Sequence, residues 1–392
     1  MKNSYQISKN AAQRLILNSQ GLIDEFKSPL EVIQKLSYLQ IDTISVAERA
    51  HHHVLFSHFK NYNKEQLNKL MLQKSIFEFW SHAAAFLPIE DYRFSLYRKA
   101  EIRKDDKFWF DKDKKTMSYV LNRIKAEGPL QSKDFKNTKD ESGSWYEWKP
   151  AKIALNHLFM EGKLMIKERQ SFHKVFDITE RVLPDSLDTT KPTASEYAQY
   201  LIERAIDAHG IMAETEIGYL RKGLNPIIKK QLSLLLNKGT LSKVQVEGVD
   251  KAYYARPEKL ESIDGLTQPK KLHMLSPFDN LVIQRKRALQ LFDFNYQIEC
   301  YLPKPKRKYG YFTLPILYGQ QFIGRLDPKA DRKTGVFYIK SLWLEADFIP
   351  SQEFVLIFAK EIYLYARFCG CEKIEIKKVM PARYKKTILN AF

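Results

Sequence analysis

Gln40 and Asp42, two positions apart, are the sharpest candidates for chemistry in this chain. In an extended backbone that spacing puts both side chains on one face, with Ile41 turned the other way into a core. On a helix they would point about 200° apart and could not act together. A glutamine that orients a water, beside a carboxylate that faces developing positive charge, is suited to hydrolysing an N-glycosidic bond. The sugar becomes oxocarbenium-like, the anion stabilises it, and water attacks. One Gln-x-Asp pair also has a plain reading, in which Asp42 caps a helix from Thr43 onward.

The histidines nearby, His51-His52-His53 with His58 and His82, invite a metal. Adjacent residues on a helix point about 100° apart, so the triplet cannot close on one ion there. No H-E-x-x-H pattern accompanies it. The expected role of His51, His53 and His82 is phosphate contact or interface polarity, and no metal site is expected. Neither a G-x-x-x-x-G-K-[ST] loop, a G-x-G-x-x-G loop nor a G-x-S-x-G elbow occurs, so no cofactor is implied. The three cysteines, Cys300, Cys369 and Cys371, form neither a disulfide framework nor a C-x-x-C zinc pair.

Stepping out from those residues, 392 positions exceed one ordinary core and suggest two or three domains. The 44% hydrophobic content, with 13% aromatics, rules out global disorder. Lys and Arg number 64 against 46 Asp and Glu, a net charge of +18. Such a surplus calls for an anionic partner: nucleic acid first, an anionic membrane surface second. The start of the chain, Met1 to Gln6, is polar and unlike a signal core. Apolar runs such as Phe354 to Ala359 fall far short of the roughly 20 residues that span a bilayer. A soluble, cytoplasmic protein is expected.

A repeated order of signals organises the middle of the chain. Gly128-Pro129-Leu130 and a cap at Ser132 precede a helix from Pro150 to Glu161-Gly162, with Ile153, Leu155, Leu158 and Phe159 at helical spacing. Strands follow near Leu164 to Lys167 and Val175 to Ile178, joined by a polar loop, Glu168 to His173. After His209-Gly210-Ile211 the plan recurs. Asn225 caps a helix with Pro226 at its first position, and strands follow near Leu241 to Val246 and Ala252 to Ala255. Helix, helix, hairpin is the winged-helix arrangement. Helices capped by Ser8 and Ser28 suggest a third copy at the N-terminus with a weaker wing. The last stretch is strand-rich: Tyr296 to Leu302, Gly310 to Leu317, Gln321 to Leu326 and Val336 to Trp343, then a helix from Ser351 to Phe368. The expected fold is α+β, with about three tandem winged-helix modules (1–120, 121–183, 193–258) and a mostly antiparallel β domain (270–392).

The cations sort onto those modules. One wing carries Lys163, Lys167, Arg169, His173 and Lys174, near Lys149 and Lys152 and the aromatics Trp145, Tyr146 and Trp148. The next module supplies Arg221, Lys222, Lys229, Lys230, Lys238 and Lys243. Lys304-Pro305-Lys306-Arg307-Lys308-Tyr309, between two strand-like runs, reads as a hairpin tip suited to a duplex, or as a solvated loop. Lys329, Arg332 and Lys333 could hold phosphates, or mark a surface turn.

These residues together resemble a family. Gln40-Ile41-Asp42-Thr43-Ile44, Ala47 through Ser57, Phe79-Trp80-Ser81-His82-Ala83-Ala84, Leu87-Pro88, Asp91-Tyr92-Arg93 and Leu275 through Leu281 are similar to the crosslink-repair DNA glycosylases of the AlkZ/YcaQ type. Tyr296 through Leu314 and Ala330 through Lys333 fit as well. The resemblance covers nearly the whole chain. It implies tandem winged helices in a C-shaped molecule wrapped on duplex DNA, with a catalytic motif on Gln40 and Asp42 and a β-hairpin probe at Lys304 to Tyr309. The Asp form of the motif looks like the YcaQ branch, which accepts N7-alkylguanine and unhooks N7-linked crosslinks. The implied enzyme is a monofunctional glycosylase, needing no cofactor, working as a monomer on alkylated or crosslinked duplex DNA. Its site would be an open cationic channel near His51, His53 and His82. The competing classes are a non-enzymatic winged-helix regulator and an RNA- or protein-binding adaptor. Neither needs Gln40 or Asp42.

Overall fold

The computed structural model describes residues 4–23, 26–104, 107–108, 110–135, 150–267 and 270–392. Trp145, Tyr146, Trp148 and Lys149 lie outside the described residues. The architecture is mixed α and β, built from helical layers and a curled C-terminal sheet.

Ser28 accepts from the Glu31 amide and Pro29 fills the first turn, which starts the helix Pro29–Leu36. Val32, Ile33 and Leu36 form its buried stripe. The strand Leu39–Gln40 follows, then the helices Ala50–His58 and Lys64–Leu72 and the strands Ile76–Trp80 and Ala84–Pro88. In the sheet, Ala84–Pro88 lies between the other two strands.

The same order recurs with the helix Lys114–Glu127, the strand Leu130–Gln131, the helix Pro150–Met160 and the strands Leu164–Gln170 and His173–Ile178; the last strand is again central. It recurs once more in the helices Ala194–His209, Glu214–Ile217 and Asn225–Asn237 and the strands Ser242–Val246 and Ala252–Ala255, with Met212 bridging to Tyr254. The expected helices and hairpins are present with small corrections. Asn225 lies inside its helix behind Leu224. Ser132 opens a single 3-10 turn, Ser132–Asp134. The polar loop Glu168 to His173 shrinks to a tight hairpin turn, with Ser171 and Phe172 both at positive φ.

The N-terminal stretch is placed differently from its expected place. Ser4–Ile7 pairs in parallel with Ser242–Val246. The helix Lys9–Ser19, capped by Ser8, buries Ala12, Leu15 and Ile16 in a core shared with Ile211, Val244 and Phe292. Residues 4–22 thus complete the unit around 194–258, while the unit carrying Gln40 and Asp42 packs Val32, Leu36, Phe77 and Phe86 into a different core, continuous through Leu155 and Phe176 with the C-terminal sheet.

In the C-terminal sheet, Leu272–Met274, Leu314–Tyr318, Gln321–Asp331 and Val336–Leu344 run antiparallel in that order. Lys373–Ile376 and Val379–Met380 both add to Val336–Leu344 in parallel. The helix Gln352–Phe368 covers the sheet with Phe354, Phe358, Ile362 and Tyr365. The strand expected at Tyr296 to Leu302 does not form. Phe294 and Tyr296 are buried as anchors, and the chain from 293 to 313 is an unpaired loop. Among the described residues no helix is long and apolar enough to cross a membrane.

Candidate functional site

The strand Leu39–Gln40 holds its register on Ala84–Pro88, with Gln40 opposite Ala85. The Ile41 amide donates to the Ala84 carbonyl at 2.8 Å, so the pairing runs one residue further, to the residue before Asp42. Ile41 is buried in the core, as its alternation required. Ile41 and Thr43 also line a cavity of about 610 Å³ with Glu78, Leu155 and Phe176. Gln40 and Asp42 are absent from that lining and belong to the other face.

Asp42 is half-buried, and its Oδ1 accepts from the Ile44 amide at 2.7 Å. This is an Asx turn. No helix follows until Ala50, so the helix-cap reading of Asp42 is corrected. Burial pushes the Asp42 carboxyl above its ordinary range, and the Ile44 N–H pulls part of the way back. Gln40 Oε1 is buried without a hydrogen-bond partner in the protein. An acceptor in that state suits a bound water or a substrate donor.

Two elements from elsewhere in the chain come near this face. One is the turn Ser81–Ala83, closed by the Ser81 amide on the Ala83 carbonyl at 2.9 Å. The Arg98 guanidinium donates to the Ser81 carbonyl, and Arg221 donates to Ser81 Oγ at 2.9 Å. Tyr38, two residues before Gln40, stands edge-on to His82 with centroids 4.5 Å apart. The 293–313 loop also comes near Asp42. Burial raises the Cys300 thiol and the Tyr301 phenol, and the negative charge of Asp42 adds to both. Tyr301 is exposed.

Buried carboxylates give that loop its shape. Glu299 accepts from the amides of Lys308, Tyr309 and Gly310 at 2.9–3.1 Å. Asp327 accepts from those of Tyr311 and Phe312. Lys304–Lys306 is one 3-10 turn, so the expected hairpin tip is corrected to a loop held by carboxylates. Lys304, Lys306 and Lys308 are exposed, whereas Arg307 is half-buried and donates to the Leu302 carbonyl. Tyr309 is an anchor: its ring lies under Arg325 and edge-on to Trp343, and its carbonyl accepts from Ser341 and Trp343. Lys329 is exposed on its strand. Arg332 is tied to Glu48 and the Ala47 carbonyl. With the Ala330 amide on the Val46 carbonyl, it braces the segment that follows Asp42.

His51, His53 and His82 do not face solvent. His53 is 1% exposed; its Nε2 donates to the Met274 carbonyl at 2.8 Å and its ring packs on Tyr365. His51 stacks on Phe172, and His82 is buried beside Tyr38. Burial depresses all three imidazoles, His53 to about 4 and His82 to about 3. Of the two expected roles, phosphate contact or interface polarity, burial corrects the first: His51 and His53 join the helix Ala50–His58 to its neighbours, and His82 packs on Tyr38 and Tyr219.

The wing His173–Ile178 with Leu164–Gln170 is also spoken for. Phe172 at its tip lies between the guanidiniums of Arg49 and Arg169, at 4.1 and 4.3 Å. Arg169 and Lys174 both pair with Glu78, which is buried. Burial alone would raise Glu78; the two cations reverse that and hold it below its ordinary range. Arg169 and Lys174 therefore dock this wing on the neighbouring unit.

Sequence reasoning passed over Tyr38, Arg98 and Tyr301. Tyr38 shares the alternation of Gln40 and Asp42 and was within reach of that signal. The others come from remote segments and carried none. Among the described residues no group of three or more His, Cys, Asp or Glu is placed to hold a metal ion.

Residues 33–368 match the family model described as DNA glycosylase AlkZ-like. Among solved structures, the chain is similar to the Streptomyces sahachiroi DNA glycosylase AlkZ. The TM-score is 0.66 and the identity 14%, over 95% of this chain and 100% of that one. At that identity the likeness is one of fold.

Proposed function

The chain belongs to the AlkZ-like family of DNA glycosylases, and from that premise we propose that it is a monofunctional glycosylase acting on N7-alkylated guanine and on N7-linked interstrand crosslinks, of the branch with a Gln-x-Asp motif. The observation that carries the reading is the half-buried Asp42 carboxylate, anchored by one oxygen to the Ile44 amide beside a Gln40 oxygen that has no protein partner.

N7 alkylation makes guanine cationic, so its leaving needs no strong general acid. The C1′–N9 bond breaks and its electron pair passes to the purine, neutralising it. Asp42 stabilises the oxocarbenium ion that remains. Gln40 holds the attacking water, whose oxygen bonds C1′ while its proton passes to Asp42. No lysine forms a Schiff base in this scheme, and the product is an abasic site. A crosslinked base pair cannot be turned into a closed pocket. The flanks of the face suit an open site: Arg98, Arg221, Lys304 and Lys306 are the cations for the backbone. One chain carries all of these groups, so a monomer suffices, with tandem winged helices wrapping the duplex.

The experiment is release of 7-methylguanine from methylated duplex DNA, read as free base and as abasic sites. Asp42→Ala should keep its affinity for the duplex and lose release by about a hundredfold or more. Because burial raises Asp42, release should fall on the acid side at a pH above the ordinary Asp value of about 3.9. Release by Asp42→Ala at the unmodified rate sinks the assignment. Tight binding to one sequence without any base release favours a regulator.

A further inference from the structure

Resting on that reading, we propose that Leu220 is a wedge that enters the base stack beside the lesion, and so presents the damaged nucleotide to Asp42 without flipping it. Leu220 lies in the turn between the helices Glu214–Ile217 and Asn225–Asn237. Its backbone is left-handed, with φ of +56°. Leucine rarely adopts that conformation, and glycine or asparagine would occupy it with less strain. Its side chain does not repay the strain by packing: it is 63% exposed and joins none of the hydrophobic cores. Folding of the turn therefore does not account for an apolar residue at this position.

The surroundings say what it meets. Arg221, next in the chain, donates to Ser81 Oγ at 2.9 Å, and Tyr219, just before it, lies 6.0 Å from the His82 ring. Ser81 and His82 belong to the turn that leads into Ala84, whose carbonyl accepts from the Ile41 amide, one residue before Asp42. Leu220 is thus held beside the Ser81–Ala83 turn, at the end of the sheet where the chain runs from Ile41 into Asp42. Lys222 follows it, exposed, so the sequence here is an apolar tip with a fixed cation and a free-standing one behind it. Proteins that kink DNA insert apolar side chains between base steps in this way, with cations on the adjacent phosphates. A crosslinked pair gains from it especially, because opening the neighbouring step exposes the sugar while the bases stay joined.

The test places 2-aminopurine next to a single 7-methylguanine in a duplex and follows its fluorescence on adding the full chain, with base release measured in parallel. The variants are Leu220→Asn, which suits the left-handed backbone, Leu220→Ala, and Leu220→Met, which keeps an apolar tip. The unmodified chain should raise the fluorescence. Leu220→Asn and Leu220→Ala should lose the rise and slow single-turnover release about tenfold, with duplex affinity and melting temperature retained, and Leu220→Met should restore both signals. A rise that survives in Leu220→Ala overturns the wedge, even where release shows the glycosylase reading to hold. A Leu220-dependent rise without any base release keeps the wedge and rejects the glycosylase.

Discussion

A single residue shows how burial, charge and aromatic faces balance in the unit that carries the site. Lys99 is 2% exposed and has no ion pair among the described residues. Its ammonium lies 4.0 Å from the Tyr92 ring, 4.7 Å from Phe79 and 5.8 Å from Phe77. Burial drives it well below its ordinary pKa. An amine depressed in this way costs stability at every pH below its unfolded value, because the unfolded chain takes up a proton that the folded one resists. Lys99→Met fills the same volume without that cost. It should raise stability by about 1–2 kcal/mol in urea unfolding at neutral pH, with base release unchanged. A variant less stable than the parent would show that the aromatic faces hold the ammonium charged. Asp42 lies at the other end of this balance: half-buried, held by one amide, and left partly open to water.

Among the elements, the loop from 293 to 313 is the clearest case of shape set by charge. It has no strand partner, yet Glu299 collects three consecutive amides and is itself 5% exposed. A buried carboxylate that loses such donors is costly, and so are amides that lose their acceptor. Glu299→Ala should leave the sheet intact but free the segment carrying Lys304 to Tyr309. Amide exchange at Lys308, Tyr309 and Gly310 should speed up about tenfold or more, read by hydrogen-exchange mass spectrometry, and duplex affinity should fall. Unchanged exchange there would mean that Tyr309 and its neighbours Trp343 and Arg325 suffice to hold the loop. The wing at Ser171–Phe172 shows the contrary use of an element. Its shape is that of a DNA-contacting hairpin, but its Arg169, Lys174 and Phe172 are committed to Glu78, Arg49 and His51.

At the scale of the whole molecule, histidines act as mortar between units. His53, Ser57 and His58 of one helix reach the Met274 carbonyl and Asp279, and His273 donates back to the Ser57 carbonyl. Burial holds His52 and His53 near about 4, and His82, His209 and His273 near about 3. An unfolded histidine takes its proton near pH 6.5. Between there and these lower values the unfolded state binds more protons, so stability is lost as pH falls. Each of these groups contributes about 1–2 kcal/mol of that loss at pH 5. The melting temperature should therefore drop steadily from about pH 6.5 downward, ahead of the carboxylate range. A flat profile to pH 5 would mean that the folded protein takes up protons on these rings as readily as the unfolded chain does.

Much of the element order was legible in the residues. Ser28-Pro29, Pro150 and Ser351 start helices because caps and a fixed proline φ act within one turn of the chain. The face of Gln40 and Asp42 could be read because alternation is a two-residue property. What lay beyond local rules went differently. Tyr296 to Leu302 has the apolar alternation of a strand, but a strand exists only if a neighbour pairs with it, and here Phe294 and Tyr296 go to the core while Glu299 takes the amides. The N-terminal strand joined the unit at 242–246 because its free edge lay there. The histidines read as polar surface because sequence gives no burial; remote elements hide them, Met274 and Tyr365 covering His53, the Phe172 wing His51, and Tyr38 and Tyr219 His82. The sequence by itself determined the local geometry, the charge and the chemical identity of the candidate carboxylate. Tertiary structure alone decided which cations remain free and that the remote loop at Cys300 and Tyr301 comes to stand near it, since those depend on contacts between residues far apart in the chain.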